Sequence, residues 1–130
     1  MPPPPAKRSV LVVEDDRALR ELYRTVLRSA GYEVGAVEDG TDALRRLEQW
    51  SPDAIVLDLA LPKMNGRDLH LELRAARHTR QIPIVIVTGT DTSDLNPADF
   101  AALLQKPVDP NALIDAVHHA IRVRGGATSL

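Results

Sequence analysis

The sequence of 130 residues contains no cysteine, which excludes disulfide bonds, thiol catalysis and thiolate metal sites. It also lacks a basic excess: its formal net charge is -2, whereas a DNA-binding domain of this size normally carries clustered lysine and arginine. No apolar run approaches the length of about 18 residues that a membrane-spanning helix needs. The sequence therefore predicts a soluble, cytoplasmic protein that binds neither nucleic acid nor membranes directly.

The chain has room for one domain, since 44% hydrophobic residues are enough to cover a mid-sized sheet with helices. Four successive prolines favour an extended, disordered start over residues 1–7. Gly125 and Gly126 favour a flexible tail over residues 125–130. The folded domain is therefore predicted over residues 8–124.

Apolar runs of strand length alternate with helical patterns, which is typical of repeated βαβ units in an α/β protein. The runs 10–13, 54–57 and 84–87 are continuously apolar, as expected of strands buried on both faces. The run 33–37 is more mixed and suits an edge. Right-handed crossovers then favour five parallel strands in the order 2-1-3-4-5, with helices on both faces.

Helix signals lie between these strands. Gly31 follows the first helical face as a stop, and the second face runs as far as Trp50. The third helix is predicted to start near Asn65, and the last is entered through Asp109-Pro110. The histidines, including His70, are predicted at solvated helix positions and carry no site.

The segment 89–100 between the fourth and fifth strands has hardly any amphipathic pattern and is rich in Thr, Asp, Ser and Asn. Asn96 as N-cap, Pro97 at the first helical position and Asp99 allow one short turn. The helix expected here, the fourth in chain order, is therefore predicted to be short or missing.

Four apolar runs each end on a polar group, at Glu14-Asp15-Asp16, Asp58, Thr88 and Gln105-Lys106. The carboxyl ends of parallel strands lie on one edge of a sheet, so these groups should converge on one crevice. Two like charges about 4 Å apart repel by roughly 4 kcal/mol at an effective dielectric near 20, so the acids should hold a proton or recruit a cation. A carboxylate-rich oxygen site suits Mg²⁺, with Mn²⁺ as an alternative. Alternatively, the first acids only cap the helix that follows them.

A hydroxyl from Thr88 and an ammonium from Lys106 at the same edge are what a phosphoryl group held by a metal needs. Asp58 would then be the nucleophile that forms an aspartyl phosphate. Taken singly, each residue also suits an ordinary role as a turn former, a cap or a surface charge. Their occurrence at the ends of successive apolar runs favours the phosphoryl site.

The runs Val10 to Asp16, Ile55 to Gly66 and Ile86 to Gly89, followed by Lys106-Pro107, resemble the receiver domain of two-component response regulators. The resemblance covers about residues 8–123. It implies a flavodoxin-like three-layer sandwich. The family itself has the strand order 2-1-3-4-5, so that order is not independent of the resemblance.

The resemblance further implies that Asp58 accepts phosphate from a sensor histidine kinase or a phosphotransfer protein. Asp15, Asp58 and the backbone carbonyl of Ala60 would bind Mg²⁺, with Glu14 acting mostly through water. Thr88 and Lys106 would bind the phosphoryl group, and the Lys106-Pro107 bond would be cis. Such a domain is a switch rather than a turnover enzyme, and it acts on a downstream protein or a fused effector, as a monomer or a dimer.

Two features depart from the family. The family usually has an aromatic residue three positions before the lysine, where this chain has Leu103, and the span from Thr88 to Lys106 is short. A receiver-like interaction domain with an impaired switch is therefore an alternative. A Mg²⁺-dependent phosphohydrolase is another, but it would need a general acid where Ala60 stands. A nucleotide or flavin binder would need a glycine-rich loop after the first strand, where acids stand instead.

Overall fold

The computed structural model describes residues 7–127, with the backbone alone for residues 125–127. Its centre is one five-stranded parallel sheet in the order β2-β1-β3-β4-β5, as the sequence predicts. The three inner strands β1, β3 and β4 are buried along their whole length, because helices cover both faces of the sheet. The strands are β1 (Ser9–Val13), β2 (Glu33–Val37), β3 (Ala54–Leu57), β4 (Ile84–Thr88) and β5 (Ala102–Gln105).

Four α-helices complete the three layers, and the side chains between them form one apolar core on each face of the sheet. One core lies around Leu57 and Leu69, and the other around Val12 and Val117. None of the helices in the described part of the chain is long and apolar enough to span a membrane. The helices are α1 (Arg17–Ser29), α2 (Gly40–Leu47), α3 (Gly66–Ala75) and α4 (Pro110–Ala127).

The helix ends follow the local signals closely. Asp16 caps α1 by accepting a hydrogen bond from the backbone N–H of Leu19 at 2.9 Å, and Asn65 caps α3. Gly31 ends the first helical segment with a φ of 99°, a backbone angle that side chains resist. Trp50 lies beyond the end of α2 rather than on it, half-buried, with the Arg46 guanidinium 5.1 Å from its ring centroid.

The predicted domain ends at 124, but α4 runs three residues further to Ala127 and includes Gly125 and Gly126. In a continued helix the N–H groups of these residues donate one turn back along the chain, which the glycine signal alone did not indicate. The rest of the predicted tail, residues 128–130, and residues 1–6 of the predicted start lie outside the described residues.

Residues 89–101, called the crossover below, connect β4 to β5 and hold a single turn of 3₁₀ helix at Pro97–Asp99. The Asn96 side chain accepts a hydrogen bond from the N–H of Ala98 at 3.0 Å and caps this turn. The prediction of a short or missing helix is confirmed, and the residues that form the turn are those expected. The face of the sheet at this edge is covered only by half-buried side chains such as Leu95, Phe100 and Leu103.

Candidate functional site

The sheet register brings the polar strand ends together. Val13 lies opposite Leu57, so Glu14 and Asp58 leave neighbouring strands at the same level, and the N–H of Asp58 donates to the carbonyl of Val13 at 3.1 Å. On the other side of β3, Thr88 at the end of β4 lies opposite Gln105 at the end of β5. Lys106 follows directly beyond that pair. Strand pairing therefore brings the polar strand ends to one edge of the sheet.

Lys106 joins two of the acids. Its Nζ lies 2.9 Å from Oδ2 of Asp58 and 2.7 Å from Oε1 of Glu14. Both carboxylates are almost completely buried, at 3% and 1% exposure, and the ammonium compensates charges that water cannot reach. The Lys106-Pro107 bond that follows is cis, as the resemblance implies.

Burial controls the protonation of this cluster. Desolvation raises the pKa of Glu14 to about 7, and the nearby charge of Asp58 acts in the same direction, while Lys106 and the Asp16 N–H oppose it. For Lys106, burial lowers the pKa, but its contacts with Glu14 and Asp58 outweigh burial and raise that pKa above its usual value. The ammonium is therefore charged at every physiological pH, and Glu14 titrates near neutrality.

The donors required for a hard cation are present. Oxygen atoms of Glu14, Asp15 and Asp58 lie within 4.8 Å of one another, and Asp15 is exposed on the open side of the group. Three carboxylates, of which the exposed Asp15 is open to water, suit Mg²⁺, which keeps several waters when it binds. Because Asp16 performs the capping of α1, Glu14 and Asp15 are not needed as caps. The residues present therefore fit a magnesium ion.

Thr88 reaches the same edge, but its hydroxyl contacts a different partner. The residue is fully buried, and its Oγ1 lies 3.1 Å from Oγ1 of Thr90 while also accepting from the Thr90 N–H at 3.3 Å. Ala60, two positions past Asp58, is exposed, and its N–H donates to Oδ1 of Asp58 at 3.1 Å. The structure thus brings Lys106 and the acids together, while the Thr88 hydroxyl engages Thr90.

Known proteins share this arrangement. The family model of the response regulator receiver domain matches residues 10–118. The chain belongs to this family. It is a receiver domain of two-component signal transduction, and the phosphohydrolase and nucleotide-binding readings are not favoured.

Among its relatives, the DNA-binding response regulator MtrA of Mycolicibacterium paratuberculosis is 38% identical over 122 residues, which cover 89% of this chain and 52% of the relative. The chain thus spans about half the length of the curated relatives it matches. A sensor protein from Polaromonas sp. JS666 has a TM-score of 0.84 at 28% identity, over 92% of this chain and 99% of that one.

The receiver domain of the sensor histidine kinase PA1611 from Pseudomonas aeruginosa has a TM-score of 0.79 at 30% identity, over 90% of this chain and 99% of that one. That structure has a magnesium ion coordinated in its active-site cleft. A solved member of the family therefore holds the metal that the donors of this chain fit.

The loop after Asp58 is fixed by close packing. A Cβ added at Gly66 would lie 2.7 Å from the carbonyl oxygen of Asp58, so glycine is required here by contact with the loop. Backbone angles do not require glycine at position 66, because among residues 7–127 positive φ angles occur only at Lys63 and Gly31. Lys63 also pairs with the buried Asp39 at 3.3 Å, which ties this loop to the start of α2.

Two residues of α3 that the sequence did not single out contact the crossover of this receiver domain. Arg67 forms an ion pair with Asp94, and the His70 ring nitrogen Nε2 lies 2.8 Å from the carbonyl oxygen of Asp99. The prediction that His70 is solvated is wrong, because the side chain is 6% exposed. The spacing of three residues between Arg67 and His70 places both on one helix face, but the sequence does not show which segment that face contacts.

Proposed function

We propose that Asp58 is the phosphoacceptor of this receiver domain and that the surrounding strand-end residues bind the group it receives. The observation that carries the proposal is that Asp58 is buried beside the carboxylate of Glu14, with the ammonium of Lys106 in contact with both acids. An acid placed in this way has a metal-binding neighbour and, within reach, a cation for phosphoryl oxygens.

In the proposed step an Oδ atom of Asp58 attacks the phosphorus of a phosphohistidine. The new O–P bond forms as the P–N bond breaks, and the histidine nitrogen leaves with its electron pair and takes up a proton. Glu14, Asp15, Asp58 and the backbone carbonyl of Ala60 are proposed to hold Mg²⁺, with Mn²⁺ as a substitute. The metal supplies charge neutralisation for the phosphoryl oxygens as they approach the acids.

Two side chains must change partners during this step. The Lys106 ammonium has to turn from the Asp58 carboxylate, 2.9 Å away, toward an oxygen of the arriving phosphoryl group. The Thr88 hydroxyl, 3.1 Å from the Thr90 hydroxyl, is proposed to turn its one proton from Thr90 to another phosphoryl oxygen. Each side chain would thereby exchange a polar contact of this structure for one to the new group.

We infer that the phosphoryl donor is a sensor histidine kinase or a phosphotransfer protein and that the output passes to a downstream protein or a fused effector, with a dimer as one assembly. The domain acts as a regulatory phosphoacceptor without turnover of a separate substrate, and it acts in the cytoplasm. The relative MtrA is by its name DNA-binding, and the chain covers about half of it. We propose that this chain contacts no nucleic acid directly, because its net charge is -2.

A receiver-like interaction domain with an impaired switch, the alternative that the residue at position 103 suggested, is not favoured by the match to the family. Leu103 stands where the family usually has its aromatic residue, and it is half-buried against the core beside the crossover. In that case Asp58 would still accept phosphate, but the change would not spread beyond the site.

The test of the proposed function is intact-mass measurement after incubation with Mg²⁺ and acetyl phosphate. The wild-type protein should gain one phosphoryl group, Asp58→Asn should gain none, and Asp68→Asn should behave as wild type because Asp68 is an exposed carboxylate of α3. A phosphoryl gain that persists in Asp58→Asn would place the acceptor elsewhere. Trp50 lies in the loop before β3, at the opposite end of the sheet, so its fluorescence is not a suitable reporter.

A further inference from the structure

The crossover is fastened to α3 near its beginning by Arg67. The guanidinium donates from Nε to Oδ2 of Asp94 at 2.8 Å and from Nη2 to Oδ1 at 3.0 Å, which is a two-pronged contact. The same Nη2 donates to the backbone carbonyl of Asp91. Exposed ion pairs usually contribute little to the free energy of unfolding. This fork, the Arg67 guanidinium on Asp94, also binds the backbone carbonyl of Asp91 and so fixes the path of the chain.

A second fastening lies near the end of the crossover. The carbonyl of Asp99 can only accept, so the buried His70 carries its proton on Nε2 and donates it there at 2.8 Å. Arg67 and His70 are three residues apart on α3 and therefore lie on the same helix face. One face of α3 thus holds both halves of a segment that has no α-helix of its own.

The fastened segment begins at the candidate site. Thr90 is the second residue of the crossover, and its hydroxyl and N–H both engage the hydroxyl of Thr88. Asp91, whose carbonyl Arg67 holds, follows Thr90 directly in the chain. A continuous set of contacts therefore links the Thr88 hydroxyl to the first turn of α3 through Thr90, Asp91 and Arg67.

We propose that Arg67 is a positioning residue for Thr88. By fixing the start of the crossover it keeps Thr90 engaged with the Thr88 hydroxyl, and the release of Thr90 when that hydroxyl turns to a phosphoryl group on Asp58 is passed to α3 through the same fork. The proposal rests on the proposed function of Asp58. It gives this chain a route for its signal that does not need an aromatic side chain at Leu103.

Binding linkage gives the direction of the effect. In the proposed arrangement the Thr88 hydroxyl donates its one proton to the Thr90 hydroxyl, so a ligand at Asp58 that recruits this proton breaks that hydrogen bond, and any change that weakens the Thr88–Thr90 contact lowers the cost of binding. Thr90→Val keeps the shape of the side chain and removes the hydroxyl. Arg67→Gln releases the crossover while leaving the site residues in place. Both variants should bind a phosphoryl analogue more tightly, by roughly fivefold, which lies within the usual range of coupling between sites.

The test titrates the full chain with beryllofluoride in Mg²⁺ and follows bound fluoride by ¹⁹F NMR. Thr90→Val and Arg67→Gln should raise the affinity, and Arg77→Gln should not, since Arg77 is an exposed arginine just beyond α3. Arg67→Lys, which keeps a positive donor for Asp94 and for the Asp91 carbonyl, should bind with an affinity closer to the wild-type value than Arg67→Gln does. Affinities of Thr90→Val and Arg67→Gln equal to wild type, or an affinity of Arg67→Lys as high as that of Arg67→Gln, would overturn the proposal.

Amide hydrogen exchange supplies a readout that a purely structural role of Arg67 would not change. In the wild type, beryllofluoride should alter exchange in the crossover and in the first turns of α3. In Arg67→Gln the change in amide exchange on binding should be confined to residues 88–90. A change that persists in α3 of this variant would contradict the proposed route. Failure of the proposed function looks different, because Asp58→Asn would then bind beryllofluoride as well as the wild type does.

Discussion

The Nζ atom of Lys106 lies 2.9 Å from Oδ2 of Asp58, so the candidate nucleophile is held by the residue proposed to bind the incoming group. A carboxylate whose electron pair is engaged by an ammonium is a weak nucleophile until that ammonium turns away. The arriving phosphoryl group offers Lys106 a competing anion, so the approach of the donor itself releases Asp58. This arrangement protects the acid from reaction when no phosphoryl group is present.

Replacing Lys106 with methionine should destabilise the protein in the absence of metal. Two nearly buried carboxylates, Glu14 and Asp58, would lose their cation, and we expect the free energy of unfolding at pH 7 to fall by about 2 kcal/mol. Added Mg²⁺ should restore part of this loss, because it supplies positive charge at the same place. Urea unfolding with and without Mg²⁺ measures both effects. Lys7→Met, at an exposed position, is the control, and equal stability of the Lys106 variant and wild type would contradict the ion pairs described.

The pKa of Glu14 gives stability a pH dependence of definite sign. The folded-state pKa of about 7 lies above the ordinary value of 4.5, so between these values the folded protein holds a proton that the unfolded chain has lost. Without metal, the contribution of Glu14 to stability is fully present below pH 4.5 and is lost as the pH rises through 7.

Urea unfolding of wild type and Glu14→Gln over a pH series isolates this contribution as the difference between the two curves. The difference in the free energy of unfolding should change between pH 4.5 and pH 7 and stay constant outside that range. Glu48→Gln, at an exposed glutamate, should give a level difference throughout. A level difference for Glu14→Gln would show that burial does not raise the pKa of this carboxyl.

Gly66→Ala should disturb the loop that carries Asp58. The new methyl group would lie 2.7 Å from the Asp58 carbonyl oxygen, and backbone cannot yield as a flexible side chain does. We expect the free energy of unfolding to fall by about 1–3 kcal/mol and the phosphorylation rate with acetyl phosphate to fall as well. Gly89→Ala is the matched comparison, because the nearest atom to its Cβ would be 3.9 Å away. Equal losses in the two variants would remove the special role given to Gly66.

The phosphorylated protein should lose its phosphoryl group readily, because Ala60 is exposed and has only a methyl group beside Asp58. Ala60→Arg places a long side chain over the site and should lengthen the lifetime severalfold by excluding water. Intact mass followed over time after removal of acetyl phosphate measures the lifetime. Ala75→Arg, at the exposed end of α3, should leave it unchanged. A wild-type phosphoryl group that is long-lived in Mg²⁺ without any partner would contradict the open site.

The elements of the sheet were predictable because each strand is encoded by its own residues. Buried strands such as β1 and β3 are apolar on both faces, and the acids that end them reach one edge by the geometry of parallel pairing. Even the turn at Pro97–Asp99 follows from its own residues, with Asn96 as the cap. Local sequence signals were therefore sufficient to predict those features whose cause lies within a few residues.

The features that escaped prediction depend on partners far along the chain. Arg67 and Asp94 are 27 residues apart, and His70 is buried only because the crossover folds over it. The contact that requires glycine at 66 comes from a loop whose shape the sequence does not state. Nor could the Thr88–Thr90 contact be read from a pattern, since two threonines near a strand end have many partners available.

The backbone N–H of Lys106 donates to the carbonyl of Thr88 at 3.0 Å, so the two proposed phosphoryl-binding residues share one rung of the β4–β5 ladder. The separation of their backbones is consequently set by strand pairing and does not depend on how many residues join the strands. Insertions or deletions in residues 89–101 can therefore accumulate without moving either residue. In such a fold the residues that bind the phosphoryl group and the segment that passes on the signal can diverge independently during evolution.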